Sequence, residues 1–328
     1  MSKKPIILKE KPWDRSSFSK IYAILDLQAK AESYVFVGSG RTSFEINEKL
    51  LKTMLLKADR SFRELCDAIL REKDKVTFGF KSLIYMGGRP IIPGSSIKGS
   101  VRSRLELSFH SVDNEVPSCY IVSSRTLKRE PHKGTHGWRH YKIWGDVIFE
   151  ERDTCNILDK TFEEARVCPV CNIFGSPGLV SRVYFGDFVP VSKDCIARLM
   201  LDYNDRIEAF KPGTVFTGSI LIDLEPAELG LVSIGMKLLK NSAILLGYSK
   251  YRKRRMQTQY NKHVYLGRIS FNPSKMKIPE YFKVDKRGDL LEGSRLREFL
   301  KKCENLAWEK WGKWLRDIDE VEKLERIS

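Results

Sequence analysis

The stretch Ile91-Ile-Pro-Gly-Ser-Ser-Ile-Lys-Gly-Ser-Val-Arg-Ser-Arg-Leu105 restricts the possible folds of this chain more than any other. Two apolar residues run into a Pro-Gly break. Beyond it Ile97, Val101, Leu105 and Phe109 recur every four residues, the spacing of one helical face. A strand therefore ends near Pro93 and an amphipathic helix begins, with Ser95 or Ser96 available as its cap. Lys98, Arg102 and Arg104 lie off the apolar stripe. The first turn of a helix presents free backbone N–H groups and a partial positive charge, so the serine hydroxyls and Lys98 suit a phosphate, and Gly99 lets a backbone come close. Taken alone, an ordinary capped surface helix of a basic protein has the same residues, so the rest of the chain must decide.

Charge points toward the anion. The 328 residues hold 58 Lys and Arg against 42 Asp and Glu, a net charge of +16, while 42% hydrophobic residues suffice to build a core. Such an excess implies a polyanionic partner, most simply nucleic acid. No apolar run approaches the roughly 18 residues that a membrane span needs, so no membrane partner is expected. The N-terminal Met1–Lys11 has only three consecutive apolar residues, too few for a signal peptide. Seven cysteines, an odd number, speak against a secreted disulfide framework and for a reducing compartment, with the cytoplasm as the expected location.

The pattern divides the chain into an extended arm over 1–19, a core over 20–272 with insertions at about 43–75 and 110–166, and a helical segment over 273–328. Lys20 to Val37 alternates as one long or bent strand, closed by a turn at Gly38-Ser-Gly-Arg41. Two helical patterns follow, one at Leu50, Leu51, Met54 and Leu55, the other at Phe62, Leu65, Cys66, Ile69 and Leu70. Phe78 to Ile92 reads as a hairpin around Met86-Gly-Gly-Arg89, and 110–166 as a long protruding loop or hairpin. Val215–Leu224 is a core strand, Pro226 suits the first turn of a second helix, and a last helix spans about Ser294 to Ile318. This order predicts an α+β protein with a modified RRM or ferredoxin-like core, a helical layer on an antiparallel sheet.

Two further constellations carry chemistry. Between Tyr248 and Tyr260 the cations Lys250, Arg252, Lys253, Arg254 and Arg255 are interleaved with aromatics, a composition that contacts phosphates and stacks on unpaired bases of RNA. Cys168-x-x-Cys171 is half of a zinc site, and a structural site needs two more ligands. Cys155, Cys119, His132, His136 and His140 are the candidates, with Cys155 and His140 taken as the completing pair; two buried thiols without metal are the alternative. No residue is assigned as catalytic. Glu45, Glu48 and His136 are weak candidates for acid and base work on RNA, and no phosphate-loop or dinucleotide motif occurs.

Several marks, in order, resemble the RAMP superfamily of CRISPR-associated proteins, in particular the backbone-type subunits of type III (Csm/Cmr) effector complexes. Gly38-Ser-Gly40 follows the first strand, and Ile92–Arg102 is similar to the family's IPGSSLKGxxR. Cys168–Gly175 is similar to CPVCRLFG, Ser181-Arg-Val-Tyr-Phe-Gly-Asp187 follows it, and Pro212-Gly-Thr-Val-Phe216 precedes a core strand. The resemblance implies an RRM-like core that binds a CRISPR RNA guide along a filament of related subunits, with target RNA paired to the guide. Ser95, Ser96, Lys98 and Arg102 would then hold guide phosphates, Gly38, Ser39, Gly40 and Arg41 would lie beside them, and 110–166 would be a thumb-like protrusion. Two departures stand out. Cutting members have an aspartate after the first strand where this chain has Ile46-Asn47-Glu48, and a neutral amide binds an activating metal ion poorly. A holder of RNA is therefore expected. An RNA-guided endoribonuclease using Glu45 or Glu48 is the first alternative, and a free-standing zinc-stabilised RNA-binding protein the second. The other departure is Gly247-Tyr-Ser-Lys-Tyr-Arg-Lys253, where the family often has a glycine-rich loop.

Overall fold

Ile21, Ala23, Leu25, Leu27, Ala29 and Ala31 alternate with more polar neighbours, and each is at most 1% exposed. Strand β1 (Ile21–Ala31) therefore has one face in the core and one toward solvent. The computed structural model describes residues 4–46, 76–121, 129–135, 137–240, 242–257, 262–279 and 290–327, with Lys52, Arg63 and Asp67. Along it follow β2 (Gly38–Ile46), β3 (Val76–Met86), β4 (Arg89–Ile91), α1 (Gly94–Ser108), α2 (Trp138–Trp144), α3 (Pro169–Phe174), β5 (Val183–Phe185), β6 (Ile196–Leu201) and β7 (Asp205–Phe210). Then come β8 (Val215–Leu224), α4 (Pro226–Met236), β9 (Ile244–Leu245), β10 (Lys253–Arg255), β11 (His263–Tyr265), β12 (Arg268–Lys277), β13 (Leu290–Glu292), α5 (Gly293–Trp311) and α6 (Glu320–Arg326).

The main sheet runs in the order β9, β12, β1, β8, β5, with antiparallel neighbours. Chain order β1-α1-β5-β8-α4-β12 on strand order β12-β1-β8-β5 is the interleaved pair of βαβ units of a ferredoxin-like fold. The class is α+β, as the sequence predicts. Ile97, Val101, Leu105 and Phe109 of the predicted stripe are all at 0% exposure and join Phe216, Ile220 and Ile222 of β8 in one core. Pro226 does open α4, where Glu225 and Glu228 form a reciprocal capping box. Among the described residues no helix is long and apolar enough to cross a membrane.

The structure departs from the sequence reading in three places. The first strand ends at Ala31. Residues 32–37 cross to a second sheet, with Val35 bridged to Phe210 and the Tyr34 carbonyl accepting from Gly267 N–H. That sheet runs β2, β3, β7, β6, with β4 paired to β3. Gly38–Arg41 is therefore an irregular part of β2, where the register slips between Gly38 and Thr42 and Gly40 takes φ +77°, rather than a turn. Second, the described residues of 110–166 fold back onto the core. Tyr120, Ile143, Trp144, Val147 and Cys155 are buried, and Glu115–Val116 pairs in parallel with Ile6–Ile7 of the N-terminal arm. Arg152 explains part of this, because its buried guanidinium donates to the Glu106 and Phe109 carbonyls at 3.0 and 2.6 Å and so closes the end of α1. Third, the last helix stops at Trp311, because the following backbone pairs with the end of α1: His110 N–H donates to Trp314 and Arg316 N–H to Ser108. The helical patterns expected over 50–70 lie outside the described residues, apart from Lys52, Arg63 and Asp67.

Candidate nucleic-acid interface and cysteine centre

The start of α1 is built differently from a serine-capped helix. Pro93 occupies the cap position with ψ 138° and no side-chain cap bond, while Asp187 accepts from Gly94 N–H at 2.9 Å. A Cβ on residue 94 would lie 2.0 Å from the Phe185 carbonyl oxygen, so glycine is required where the helix start meets the end of β5. Ser95 is exposed, and Ser96 and Lys98 are half-buried. Burial and then the charge of Arg102 hold the Lys98 ammonium below the usual lysine value, and among the described residues it has no carboxylate partner. Arg102, expected at a phosphate, is buried instead. Its guanidinium reaches Glu106 at 2.7 Å, the Gly175 carbonyl at 2.6 Å and Cys171 Sγ at 3.1 Å. Arg104 is buried too, on Glu320 and on the carbonyls of Ile234 and Ile318 at 2.7 and 2.9 Å. The face of α1 beside the stripe is thus covered by the chain itself.

Arg102 leads to the cysteines. Cys119, Cys155, Cys168 and Cys171 are all buried, with their sulfurs within 4.8 Å of one another, and Cys119 and Cys171 are 3.3 Å apart. Backbone N–H groups of Cys119 and Cys168 point at the sulfurs of Cys168 and Cys155, both at 3.4 Å. Four thiolates at about 2.3 Å from one tetrahedral zinc lie about 3.8 Å apart, so the spacing fits a metal ion. The fourth position falls to Cys119, not to His140. His140 sits in α2 with its ring 5.0 Å from Tyr251 and 6.5 Å from Trp144, packed among aromatics. Cys119 has no spacing signature in sequence and arrives only because the segment after α1 folds back.

The basic-aromatic segment divides in the same way. Arg252, Lys253 and Arg255 are exposed and Lys250 is half-buried, but Arg254 is 5% exposed and bound to Asp202 at 2.7 Å and to Asp205. Lys81 and the Tyr248 hydroxyl also donate to Asp205, at 2.6 and 3.1 Å. Burial opposes ionisation of Asp205, but the hydrogen bonds from Lys81 and Arg254 outweigh it and hold the carboxyl below its ordinary value. A group whose folded value is lowered contributes stability above its unfolded value of about 3.9 and loses it as pH falls through the lower folded value. The Tyr248 ring resonances, followed by NMR, should therefore stay constant from neutral pH to about 4 and shift only below it.

Two of the sequence candidates meet at one pocket. A cavity of about 430 Å³ is lined by Phe36, Gly38, Gly40, Arg41, Thr42, Lys81 and Tyr248. Ser39 fastens this part of β2, donating to the Ser82 carbonyl at 3.1 Å and accepting from Arg41 N–H. The middle of α1 is tied to the segment after Tyr248 through Leu245, whose carbonyl accepts from Ser100 Oγ at 2.6 Å and from Lys250 Nζ at 3.1 Å. Sequence reasoning missed Lys81 and Asp205. Lys81 sits unmarked in an alternating strand, and Asp205 gains its role only by pairing across three segments. Of the weak catalytic candidates, Glu45 lies in β2 opposite Thr77, while Glu48 and His136 lie outside the described residues.

No curated protein matches the chain. Residues 28–326 match the family model of the RAMP superfamily, and with that span of agreement over a ferredoxin-like core the chain belongs to this superfamily.

Proposed function

We propose that the chain is a guide-RNA-binding structural subunit of a type III CRISPR effector ribonucleoprotein in antiviral defence, assembled with related subunits and without cleavage activity of its own. The observation that carries this reading is the Leu245 carbonyl, which accepts from Ser100 in the middle of α1 and from Lys250 just before exposed Arg252 and Lys253, and this supports the two basic sequence elements acting together. Exposed Arg252 and Lys253, and half-buried Lys98, which has no carboxylate partner among the described residues, suit the phosphates of an extended guide strand. Target RNA would be read by pairing with that guide. Asn47, in place of the cutters' aspartate, supports holding over cutting.

The test is the salt dependence of RNA binding. Anisotropy of a labelled unstructured RNA, titrated across potassium chloride, should show Arg252→Ala/Lys253→Ala binding more weakly, with a log–log salt slope smaller by about 1.4. An unchanged slope would sink the interface. Assembled complexes with Glu45→Ala, Glu48→Ala and His136→Ala test silence: a target cut that any one of them abolishes would make the subunit an endoribonuclease.

We further assign a structural zinc ion to Cys119, Cys155, Cys168 and Cys171. When bound, zinc supplies a cross-link that fastens the segment after α1 to α3. The chain's own contribution is Arg102, which donates to Cys171 and places a cation beside a centre with four negative ligands.

A further inference from the structure

The pocket beside Tyr248 has a chemistry that the basic surface alone does not explain. Tyr248 is 41% exposed, yet it is held from several sides. Its N–H donates to the Phe36 carbonyl at 2.9 Å, its hydroxyl to Asp205 at 3.1 Å, and the Phe36 ring meets it edge-on at 5.7 Å. Lys81 and Arg254 lie 5.2 and 5.8 Å from the ring centre. An aromatic fixed in place but left partly open loses little freedom when a second ring packs on it. Asp205 is saturated by Lys81, Arg254 and the tyrosine hydroxyl, so no acceptor charge is left to repel an anion. Arg41, on the rim, is exposed and has no carboxylate partner among the described residues. The pocket, about 430 Å³ and open to solvent on one side, admits one nucleotide.

We propose that this pocket takes a single unstacked ribonucleotide of the bound strand, its base against Tyr248 and its phosphate on Arg41. The proposal rests on the RNA-binding reading and adds a discrete subsite to it. Stacking of this kind is tolerant of sequence, since every base has a π face, so the pocket selects an exposed base and not a particular one. Its effect is to fix the register of the strand on the protein.

The experiment uses the full chain and unstructured RNAs containing 5-iodouridine, irradiated and mapped by peptide mass spectrometry, with affinity measured in parallel. The expected result is a cross-link at Tyr248. Tyr248→Leu should weaken affinity about 5- to 150-fold, the range of one lost stacked base. Arg41→Gln, an exposed change that leaves the Tyr248 anchors in place, should lower the salt slope by about 0.7. If wild-type chain binds RNA but gives no cross-link at Tyr248, and both variants bind as wild type does, the pocket assignment is overturned while the RNA-binding reading stands. If wild-type chain binds no RNA, both fail. Nucleoside monophosphates added at about 1 mM, in the range of a tethered group's effective concentration, are expected to leave the cross-link intact. Their abolishing it while the strand stays bound would make the pocket a site for free nucleotides and overturn the assignment to the strand.

Discussion

Arg104→Ala should destabilise the protein by about 3–5 kcal/mol, the usual cost of removing one partner from a buried ion pair. The guanidinium is 4% exposed and holds three separate pieces of chain together. It donates to the Ile234 carbonyl at the end of α4, to the Ile318 carbonyl, and to Glu320 at the start of α6, itself 1% exposed. Loss of the cation takes a donor from the Ile318 carbonyl, leaves the Ile234 carbonyl with the Lys237 N–H alone among the described residues, and leaves buried Glu320 with Lys237, 3.2 Å away, as its remaining cation among them. Urea unfolding should show a lowered midpoint for Arg104→Ala. Arg326→Ala, which breaks an exposed pair one helical turn apart in α6, should cost no more than about 0.5 kcal/mol. Equal midpoints for the two variants would show that Arg104 does not clamp the C-terminal segment.

A still larger effect is expected at the cysteine centre. Chain purified without chelator should hold one equivalent of zinc, and Cys119→Ser should lose it, while His140→Ala keeps it. Structural zinc sites contribute apparent binding free energies of about 10–16 kcal/mol at neutral pH, more than any one side chain here. Thermal unfolding of the wild type should therefore fall sharply on addition of a strong chelator, and Cys119→Ser should melt low with or without it. Zinc well below one equivalent in the wild type, with a melt indifferent to chelator, would mean four buried thiols and no metal. His140→Ala separates the two ligand sets directly, since a histidine ligand could not be lost without metal being lost as well.

What was legible in the sequence was periodic. The four-residue stripe from Ile97 to Phe109, the alternation of Ile21–Ala31 and Pro226 at a helix start all report local geometry, and the structure has them where periodicity puts them. Burial of the charged residues was not legible. Arg102 and Arg104 share a helix with exposed Gly99, and nothing within that helix says that Cys171 or Glu320 will cover them. Arg254 looks like its neighbours Lys253 and Arg255 until Asp202 and Asp205 are brought beside it. Cys119 is separated from its nearest partner in sequence, Cys155, by the whole folded-back segment, so ligand spacing could not find it. Residues 32–37 misled for a related reason: Val35, Phe36 and Val37 are apolar because they pass between two sheets, not because they continue one.

The buried arginines bear on how the molecule meets its partner. Among the described residues Arg102, Arg104, Arg152, Arg182 and Arg254 are buried, and each is paired with a different carboxylate, on Glu106, Glu320, Glu150, Glu228 and Asp205. Five positive charges are cancelled by five negative ones inside the protein, so the net excess of +16 is left undiminished for the rest of the molecule. That excess acts at a distance, before any contact forms. Encounter with a polyanion is accelerated by such a field, and the association rate falls steeply as added salt shortens its reach. The internal pairs, shielded from the same ions, hold the fold unchanged while the rate of encounter changes.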